Sequence, residues 1–415
     1  MQAPSRDAAL SQLAELWDVR ADVTYLNHGS FGLTPAPVLA AQAKLRAELA
    51  SDPVDFLCRR YQPYLDSALT RLANFVGTAP DNLVFVDNAT TGMNAAAVSL
   101  PLRAGDEIIM GDHEYGAVAR LWRQTAQRCG AIVHTPAIGA PLNSADQVVD
   151  ALLAPLTSRT RVLVVSHVTS ATAVVFPVAE IVCEARRRHA NVCDETLWIV
   201  VDGPHALVQV PLAIDQLDVD FYAASCHKWL SAPLGSGFLF VHPRVQSLVR
   251  PAVTSWGTMP QDQAVNWRGE FHWAGTRDPS AWLAVATAIE LIEQVGLERF
   301  RQQTHDLARY ARGQLIEALG AEPLVPDSAD WYASMVAVAL PELAGSVASP
   351  DELPRRARAW QDILWKRWGI EVPLNVWGGR IILRVSCHLY NRADQIDRLV
   401  AALAALLGAG SSPLP

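Results

Sequence analysis

The sequence predicts an α/β protein built around a mostly parallel β-sheet. Between residues 80 and 245, short runs rich in β-branched and aromatic residues alternate with helical patterns such as AEIVCEARRRHA. This alternation is typical of a parallel sheet whose two faces are covered by helices. The predicted strands are NLVFVD, EIIMGD, RVLVVSH, LWIVVD, VDFYAAS and GFLFV. Ligands bind beyond the carboxyl ends of the strands in such sheets, so we expect a functional site at that edge.

The chain of 415 residues is long enough for more than one domain, and its character changes along its length. Residues 1–25 predict an N-terminal helical segment, and residues 26–280 predict a large domain that contains the sheet. From residue 281, a long helical stretch runs through AWLAVATAIELIEQVG into ERFRQQTHDLARYARGQLIEAL. A strand, a helix after Asp351, a pair of strands and a last helix follow, which predicts a smaller C-terminal α+β domain at 281–415.

Composition and charge disfavour several classes of protein. The net charge of −8 offers no basic surface for nucleic acid, and no apolar run approaches the roughly 18–20 residues of a membrane span. The start, MQAPSRDAALSQLAELW, lacks the apolar region of a secretory signal. The six cysteines form no CxxC pair, so we expect no metal site. A reduced, cytoplasmic protein is the simplest interpretation.

Polar side chains follow five of the predicted strands. They are Asp87 and Asn88, Asp112 and His113, Ser166 and His167, Asp202, and Ser225. Because parallel strands end at the same edge of a sheet, these groups are expected to converge there.

After Asp87, the sequence NATTGMNAAAVSL predicts a helix with Thr90 and Thr91 in its first turn. Hydroxyl groups and free N–H groups at a helix N-terminus suit a phosphate. The alternative is ordinary N-capping by one of the two threonines. A P-loop nucleotide site is disfavoured, because the GK[ST] ending of that motif is absent.

Lys228 lies 26 residues after Asp202, which is one βαβ step. Both side chains are therefore expected at the same edge of the sheet. A buried carboxylate needs a cationic or N–H partner, and one such partner is the protonated ring nitrogen of a cofactor. The alternative is an aspartate that caps the following turn. A lysine in a pocket has a lowered pKa and attacks carbonyl groups.

Together these groups match one cofactor. Phosphate would lie against Thr90, Thr91, Ser225 and His227, a pyridine nitrogen against Asp202, and an aldehyde on Lys228. Pyridoxal 5′-phosphate carries all three groups, and enzymes hold it through a lysine Schiff base and a partner for the ring nitrogen. The joint pattern is far more specific than any of its parts.

Seven motifs extend this pattern over nearly the whole chain. They are YLNHGSFG at residues 25–32, then NATTGMN, HVTSATA, VDGPHA, SCHKWL, AGTRDPSAW, and finally LRVSCHLYN at residues 383–391. In this order they resemble the class V aminotransferase family of fold type I pyridoxal-phosphate enzymes. Within that family, the chain is most similar to the isopenicillin N epimerase-like branch.

The resemblance implies a role for each matching residue. Lys228 would form the Schiff base, Asp202 would pair with the pyridine nitrogen, and His205 and Ser170 would lie near the ring hydroxyl. The phosphate would be bound by Thr90, Thr91, Ser225, His227 and, from the neighbouring subunit, Thr276. That last contact implies a homodimer.

The resemblance leaves the group that covers the cofactor ring open, with His113 or Tyr115 as candidates and a packed core tyrosine as the alternative for Tyr115. Arg384 would bind the α-carboxylate of the substrate through its planar fork, or else form a structural ion pair. Asn27 and His28 would line the substrate entrance, or else form a turn.

The resemblance further implies that Lys228 removes the Cα proton of an amino acid or amino-acid-containing substrate. Epimerisation, which needs a second acid such as Tyr115, His113 or His28, is favoured; C–S lyase chemistry and transamination are the alternatives. Cysteine desulfurase chemistry is disfavoured, because residues 344–384 contain no cysteine. A non-catalytic binding protein of the same fold is disfavoured by the presence of Lys228, Asp202 and Arg384 together.

Overall fold

The computed structural model describes residue 4 and residues 8–257, 266–341 and 351–408. Its helices are Ala8–Ala14 (α1), Ala36–Ser51 (α2), Pro53–Asp55 (α3), Tyr61–Val76 (α4), Ala89–Ser99 (α5), Gly116–Cys129 (α6), Ala145–Leu153 (α7), Val178–Ala190 (α8), Gly269–His272 (α9), Ser280–Leu283 (α10), Val285–Val295 (α11), Leu297–Leu319 (α12), Leu353–Trp368 (α13) and Ala393–Gly408 (α14). Its strands are Thr24–Tyr25 (β1), Leu83–Val86 (β2), Glu107–Met110 (β3), Ile132–His134 (β4), Thr160–Ser166 (β5), Trp198–Asp202 (β6), Phe221–Ser225 (β7), Gly237–Val241 (β8), Glu322–Pro323 (β9), Met335–Ala339 (β10), Ile370–Glu371 (β11), Leu374–Trp377 (β12) and Arg380–Ser386 (β13).

A seven-stranded sheet in the order β2-β8-β7-β6-β5-β3-β4 forms the centre of the fold. Strands β4, β3, β5, β6 and β7 run parallel, whereas β8 is antiparallel to both of its neighbours. All six predicted strands are confirmed. The edge strand β4 was not predicted, because it has three residues and Ile132 points an apolar side chain towards solvent, with 45% of it exposed.

Helices cover both faces of this sheet, as the alternation predicted. Along β6, Ile199 and Val201 pack in one apolar cluster while Val200 packs in the other. Successive side chains of a strand point to opposite faces, so each central strand contributes to two cores. This double burial fixes the strand ends firmly in position, and the carboxyl ends of β5, β6 and β7 carry the candidate site.

A second, antiparallel sheet in the order β12-β13-β10-β9 lies in the C-terminal part of the chain. Strands β12 and β13 are joined by Gly378 and Gly379, both in the left-handed region with φ of 58° and 70°, which is the backbone of a tight two-residue hairpin. The predicted strand pair, the helix after Asp351 and the last helix are confirmed. The short strand β1 pairs in parallel with β11, so the start of the chain is tied to this region.

The predicted continuous helix after residue 281 is wrong in one respect. It is divided into α10, α11 and α12, and the chain bends by 75° between α11 and α12. Gly296 lies at the bend with φ of 85°, which helices do not adopt. No single helix in the described ranges is long and apolar enough to cross a membrane; the two arms of this bend meet that test only when joined. The division into domains at residues 25 and 280 stays a prediction.

Candidate active site

The carboxyl ends of three neighbouring strands bring the predicted polar groups together. Ser166 of β5 is in register with Asp202 of β6, and Asp202 is in register with Ala223 of β7. Lys228 follows β7 by three residues. We call this region, from the ends of β5–β7 to the start of α5 and Lys228, the cofactor edge.

Lys228 is held by a short chain of hydrogen bonds at this edge. Its Nζ lies 3.2 Å from Nε2 of His205, and Nδ1 of His205 accepts from the indole N–H of Trp229 at 3.4 Å. A neutral imidazole that accepts at Nδ1 carries its proton on Nε2, so His205 donates and the lysine amine accepts. Burial, and then the charge of Arg384, lower the pKa of Lys228, which favours this neutral amine.

Asp202 is only 3% exposed, and its carboxylate accepts no hydrogen bond from any described side chain or backbone N–H. Burial raises the pKa of this carboxyl, and the charge of Lys228 opposes the shift. A buried carboxylate without a donor is costly, so a protonated nitrogen placed against it would be strongly bound. No hydrogen bond among the described residues supports the alternative role of Asp202 as a cap of the following turn.

The N-terminus of α5 completes the cofactor edge. Asn88 caps the helix by accepting from the backbone N–H of Thr91 at 2.9 Å, so neither threonine is the N-cap. The Oγ of Ser225 accepts from the N–H of Ala89 at 3.0 Å, which ties the helix to β7. Thr90 is exposed, and its hydroxyl has no hydrogen-bond partner among the described residues. This end of the helix therefore keeps donors available for a phosphate.

His227 and Thr276 are the other two residues predicted to contact the phosphate. His227 donates from Nδ1 to the carbonyl oxygen of Ser236 at 3.0 Å, which leaves Nε2 to face a ligand. Thr276 is exposed, and the next residue, Arg277, forms an ion pair with Asp87 at the end of β2. The loop is thus anchored beside the sheet while Thr276 remains accessible.

Arg384 is buried on β13, with 2% exposed, and forms no ion pair with any described carboxylate. Its Nη1 donates to the carbonyl oxygen of Ser170 at 2.6 Å, and its Nη2 donates to Asn27 Oδ1 at 3.2 Å and Ser30 Oγ at 2.7 Å. We call this group the carboxylate clamp. The structural ion pair considered above is therefore absent from the part of the chain that the structure describes.

The clamp uses three of the five N–H groups of the guanidinium, and Nε is buried without a partner. Burial lowers the pKa of Arg384 to about 10. A buried cation with free donors and no counter-ion is a site for an anion. The carbonyl oxygen of Ser170 accepts from Arg384, and the predicted position of its side chain beside the cofactor ring stays a prediction.

His113 and Tyr115 differ sharply in their surroundings. His113 is 3% exposed, donates or accepts at Nδ1 with Thr172 Oγ1 at 2.7 Å, and packs 4.3 Å from the ring of Trp377. Burial lowers its pKa to about 4. Tyr115 precedes α6 with 46% of the residue exposed, and its hydroxyl bonds to no described residue. Tyr115 is therefore not a packed core tyrosine, and it follows Glu114, which bonds to Ser166 at the end of β5, so it is available to cover a cofactor.

The prediction that His28 lines the substrate entrance is wrong. His28 is fully buried, with Nδ1 2.9 Å from the hydroxyl of Tyr390 and Nε2 3.0 Å from the carbonyl oxygen of Lys228. Burial lowers its pKa to about 3, so it is also a poor second acid. A Cβ at Gly32 would lie 2.4 Å from the same carbonyl, so the LNHGSFG loop packs directly on the backbone of Lys228.

Two site residues escaped the sequence analysis. Glu114 accepts from the N–H of Ser166 at 2.7 Å and from its Oγ at 2.8 Å; burial, and then the charge of Asp202, raise the pKa of Glu114 to about 8. A glutamate directly after a predicted strand end was the available signal. Ser30 carries no signal in the sequence, because its contact with Arg384 spans 354 positions.

The buried thiols take no part in this arrangement. Cys226 and Cys387 are fully buried, and burial raises the pKa of both well above the usual range of a thiol. The thiolate is the nucleophilic form, so neither group is suited to accept sulfur. Within the described ranges, no cluster of three or more His, Cys, Asp or Glu side chains is placed to hold a metal ion.

Pyridoxal 5′-phosphate fits the residues present. Asp202 offers an unpartnered carboxylate for its ring nitrogen, α5 offers donors for its phosphate, and Lys228 offers a neutral amine for its aldehyde. The fold and this set of side chains define a fold type I pyridoxal-phosphate enzyme.

Comparison with known proteins identifies the family. The model of the aminotransferase class-V family matches residues 32–399, and the chain belongs to this family and is a pyridoxal-phosphate-dependent enzyme. It is 36% identical to an isopenicillin N epimerase of Amycolatopsis lactamdurans, over 92% of this chain and 94% of that protein. It is 34% identical to the isopenicillin N epimerase of Streptomyces clavuligerus, over 93% and 95%. A putative L-cysteine desulfhydrase of Oryza sativa subsp. japonica is 29% identical, over 96% and 86%.

Solved structures share the fold. The cystine C–S lyase C-DES, in complex with cysteine persulfide, superposes with a TM-score of 0.78 at 24% identity, covering 92% of this chain and 98% of that one. The cysteine desulfurase of Thermococcus onnurineus NA1 superposes with a TM-score of 0.77 at 20% identity, covering 98% and 100%.

Proposed function

We propose that the protein epimerises an amino acid, or a larger molecule that contains one, at Cα. The observation that carries the proposal is that buried Arg384, which forms no ion pair with a described carboxylate, lies at the same site as the buried Lys228, whose lowered pKa makes the neutral amine accessible. The first binds a carboxylate and the second accepts a proton, which are the two requirements for chemistry at the carbon between them. The two isopenicillin N epimerases at 36% and 34% identity favour epimerisation as the outcome.

Each residue of the site has a task in this reaction. Arg384 orients the substrate by binding its α-carboxylate through the N–H groups that the clamp leaves free. Lys228 takes the Cα proton as a general base, because its lowered pKa makes the neutral amine available. Asp202 holds the proton of the ring nitrogen. When bound, pyridoxal phosphate supplies an electron sink for the charge at Cα. We assign to Tyr115 the return of a proton to Cα on the face opposite Lys228.

A C–S lyase is the second candidate, because the same residues serve β-elimination. The desulfhydrase relative and the fold shared with a cystine C–S lyase support it. Loss of a β-substituent needs no proton on the opposite face of Cα, so Tyr115 separates the two reactions. Transamination is a third and weaker candidate, and sulfur transfer through a cysteine is disfavoured by the burial of Cys226 and Cys387.

The test is a product survey on L-amino acids in D₂O with the purified holoenzyme. Epimerisation returns the amino acid with deuterium at Cα and inverted configuration, whereas β-elimination gives pyruvate, ammonia and hydrogen sulfide from cysteine. We expect Tyr115→Phe to slow inversion roughly 100-fold while deuterium exchange with retained configuration continues. A wild-type enzyme that exchanges no Cα proton on any amino acid would overturn the proposal.

We further propose a cytoplasmic homodimer. Thr276 is exposed in a loop anchored by the Arg277–Asp87 ion pair, and this accessibility supports a contact with the cofactor phosphate of a second subunit. All six cysteines are free, which suits a reducing compartment. Mixing inactive Lys228→Ala protein with an inactive Thr276 variant should restore part of the activity if sites are shared. Full activity of a monomer at working concentration would contradict it.

A further inference from the structure

A cavity of about 640 Å³ adjoins the carboxylate clamp and has no part in the mechanism above. It lies between N-terminal residues 18–33, helix α13, and strands β11 and β12. Tyr25, Phe31 and Trp365 contribute aromatic surface, and 65% of Phe31 and 39% of Trp365 are exposed. The volume falls in the range of roughly 300–1,000 Å³ that is usual for small-molecule pockets. A side chain as small as that of cysteine would leave most of it empty.

Asn27 joins this cavity to the clamp. Its Nδ2 donates to Glu371 Oε1 at 3.2 Å, and its Oδ1 accepts from Arg384 Nη2 at 3.2 Å. Ser30 also lines the cavity and accepts from the same Nη2. Asn27 and Ser30 therefore contact both the cavity and the guanidinium of Arg384. These two lining residues bond directly to Arg384, which puts a ligand of this guanidinium beside the cavity.

The charges on the wall indicate what such a tail carries. Glu371 has no cationic partner within 4 Å in the described part of the chain, and Asp18 adds a second unpaired carboxylate. Arg20, the cation among the described lining residues, is already bonded to Asp22 at 2.5 Å. Carboxylates at a cavity wall attract N–H donors and cations and repel anions. Tyr25 and Phe31 add aromatic surface for apolar groups or for a cation, whereas Arg20 already lies over the ring of Trp365 at 5.9 Å.

We propose that the cavity is a subsite for the distal part of an extended amino-acid substrate. The tail carries apolar surface and hydrogen-bond donors or positive charge, and it carries no negative charge. The proposal rests on the proposed function, since it takes Arg384 to bind the α-carboxylate. It also bears on the choice between the two leading reactions, because a subsite of this size serves a large substrate rather than free cysteine.

The experiment measures dissociation constants for three probes on the holoenzyme by calorimetry. L-Alanine has no tail, Nε-acetyl-L-lysine has a tail with an amide N–H, and L-α-aminoadipate has a tail that ends in a carboxylate. We expect Nε-acetyl-L-lysine to bind about tenfold more tightly than either of the others, as burial of the tail and one N–H bond to a carboxylate would give. Equal binding of the three probes would overturn the proposal.

Substitutions in the cavity test whether the preference for Nε-acetyl-L-lysine arises there. Gln361→Trp fills the cavity from the surface of α13, and Thr254→Trp places the same bulk in a separate cavity of about 370 Å³ as the control. The first should abolish the preference for Nε-acetyl-L-lysine and leave alanine binding within about twofold; the second should change neither. Glu371→Gln keeps the shape and the bond from Asn27 but removes the charge, so it should strengthen the binding of aminoadipate.

The outcomes separate this proposal from the function it rests on. If alanine binds and perturbs the visible spectrum of the cofactor, but Gln361→Trp leaves the preference intact, the subsite is wrong and the function stands. If no α-amino acid binds at all, alanine included, the proposed function fails and the subsite fails with it.

Discussion

The cofactor edge and the carboxylate clamp hold charged groups in two different ways. In the cofactor edge, Ser166, Asp202 and Ser225 lie at the ends of three neighbouring strands of one sheet. Each of these strands is buried on both faces. The second places Arg384, on a different sheet, against a loop near the start of the chain and the carbonyl oxygen of Ser170. The cofactor edge therefore depends on one rigid element, whereas the clamp depends on how three parts of the chain are arranged.

This difference predicts that the two regions can be damaged separately. A change at the cofactor edge should affect both cofactor attachment and catalysis, because the sheet presents all the groups together. A change at the clamp should weaken substrate binding while the cofactor stays attached.

The largest effect is expected from Lys228→Ala. It removes the amine that both anchors the cofactor and takes the Cα proton, so activity should fall by roughly 10³-fold or more. The visible band that borohydride abolishes should also be lost, as measured by absorbance. Cys226→Ala, two residues earlier and fully buried, is the control and should keep the band. A Lys228→Ala protein with wild-type turnover would refute the role of the lysine.

Arg384→Lys should be the next most severe change. An ammonium group is a single point charge and does not reproduce the fork, so kcat/KM should fall about 100-fold while the cofactor remains bound. Arg380→Lys is a matched control on the same strand, since Arg380 pairs with Glu322 at the surface and should tolerate the change. If both variants kept wild-type kcat/KM, Arg384 would be a structural residue and would not bind the substrate carboxylate.

Asn27→Ala should have an intermediate effect. It removes an acceptor from the buried guanidinium and breaks the bridge to Glu371, so KM should rise about tenfold with little change in kcat. Steady-state kinetics would measure KM and kcat separately and so detect this difference. A fall in kcat with unchanged KM would place Asn27 in the chemical step instead.

The smallest effect concerns pH. Burial lowers the pKa of Lys228 to about 8, and the amine must be neutral to react with the cofactor aldehyde. The rate at which apoprotein takes up pyridoxal phosphate should therefore rise with pH and level off above about pH 8. An ordinary lysine, with a pKa near 10.4, would still show a rising rate there. Stopped-flow absorbance would measure the profile, and a rise continuing to pH 10 would contradict the lowered pKa.

The cofactor edge was predictable from sequence because its information is local. A strand followed by Asp202, and a strand followed by Lys228, show their polar ends in a few consecutive residues. Periodicity, however, does not show which residue caps a helix, and Asn88 rather than a threonine caps α5. The bend at Gly296 was likewise hidden, since a single glycine within a helical pattern does not say whether the helix continues.

The sequence predicted the arginine of the clamp but not the residues that bond to it. Arg384 was found through the family motif, but its partners and the burial of His28 depend on contacts between the two ends of the chain. His28 meets Tyr390 over 362 positions, and no pattern in YLNHGSFG reveals that its histidine is enclosed. The alternation of polar and apolar residues predicts which face of an element is buried, but it does not predict which distant residue covers that face.

The bond between Asn27 and Arg384 also sets an order of events during synthesis on the ribosome. The two residues lie 357 positions apart, which at about 5–20 residues per second takes roughly 20–70 s to translate. The last residue of the cofactor edge, Lys228, is synthesised 156 residues before Arg384, which at the same rate is roughly 8–30 s. During that interval, the nascent chain carries the elements that bind the cofactor without those that bind the substrate. In the order of synthesis, the residues proposed to bind the cofactor therefore precede the arginine proposed to bind the substrate carboxylate.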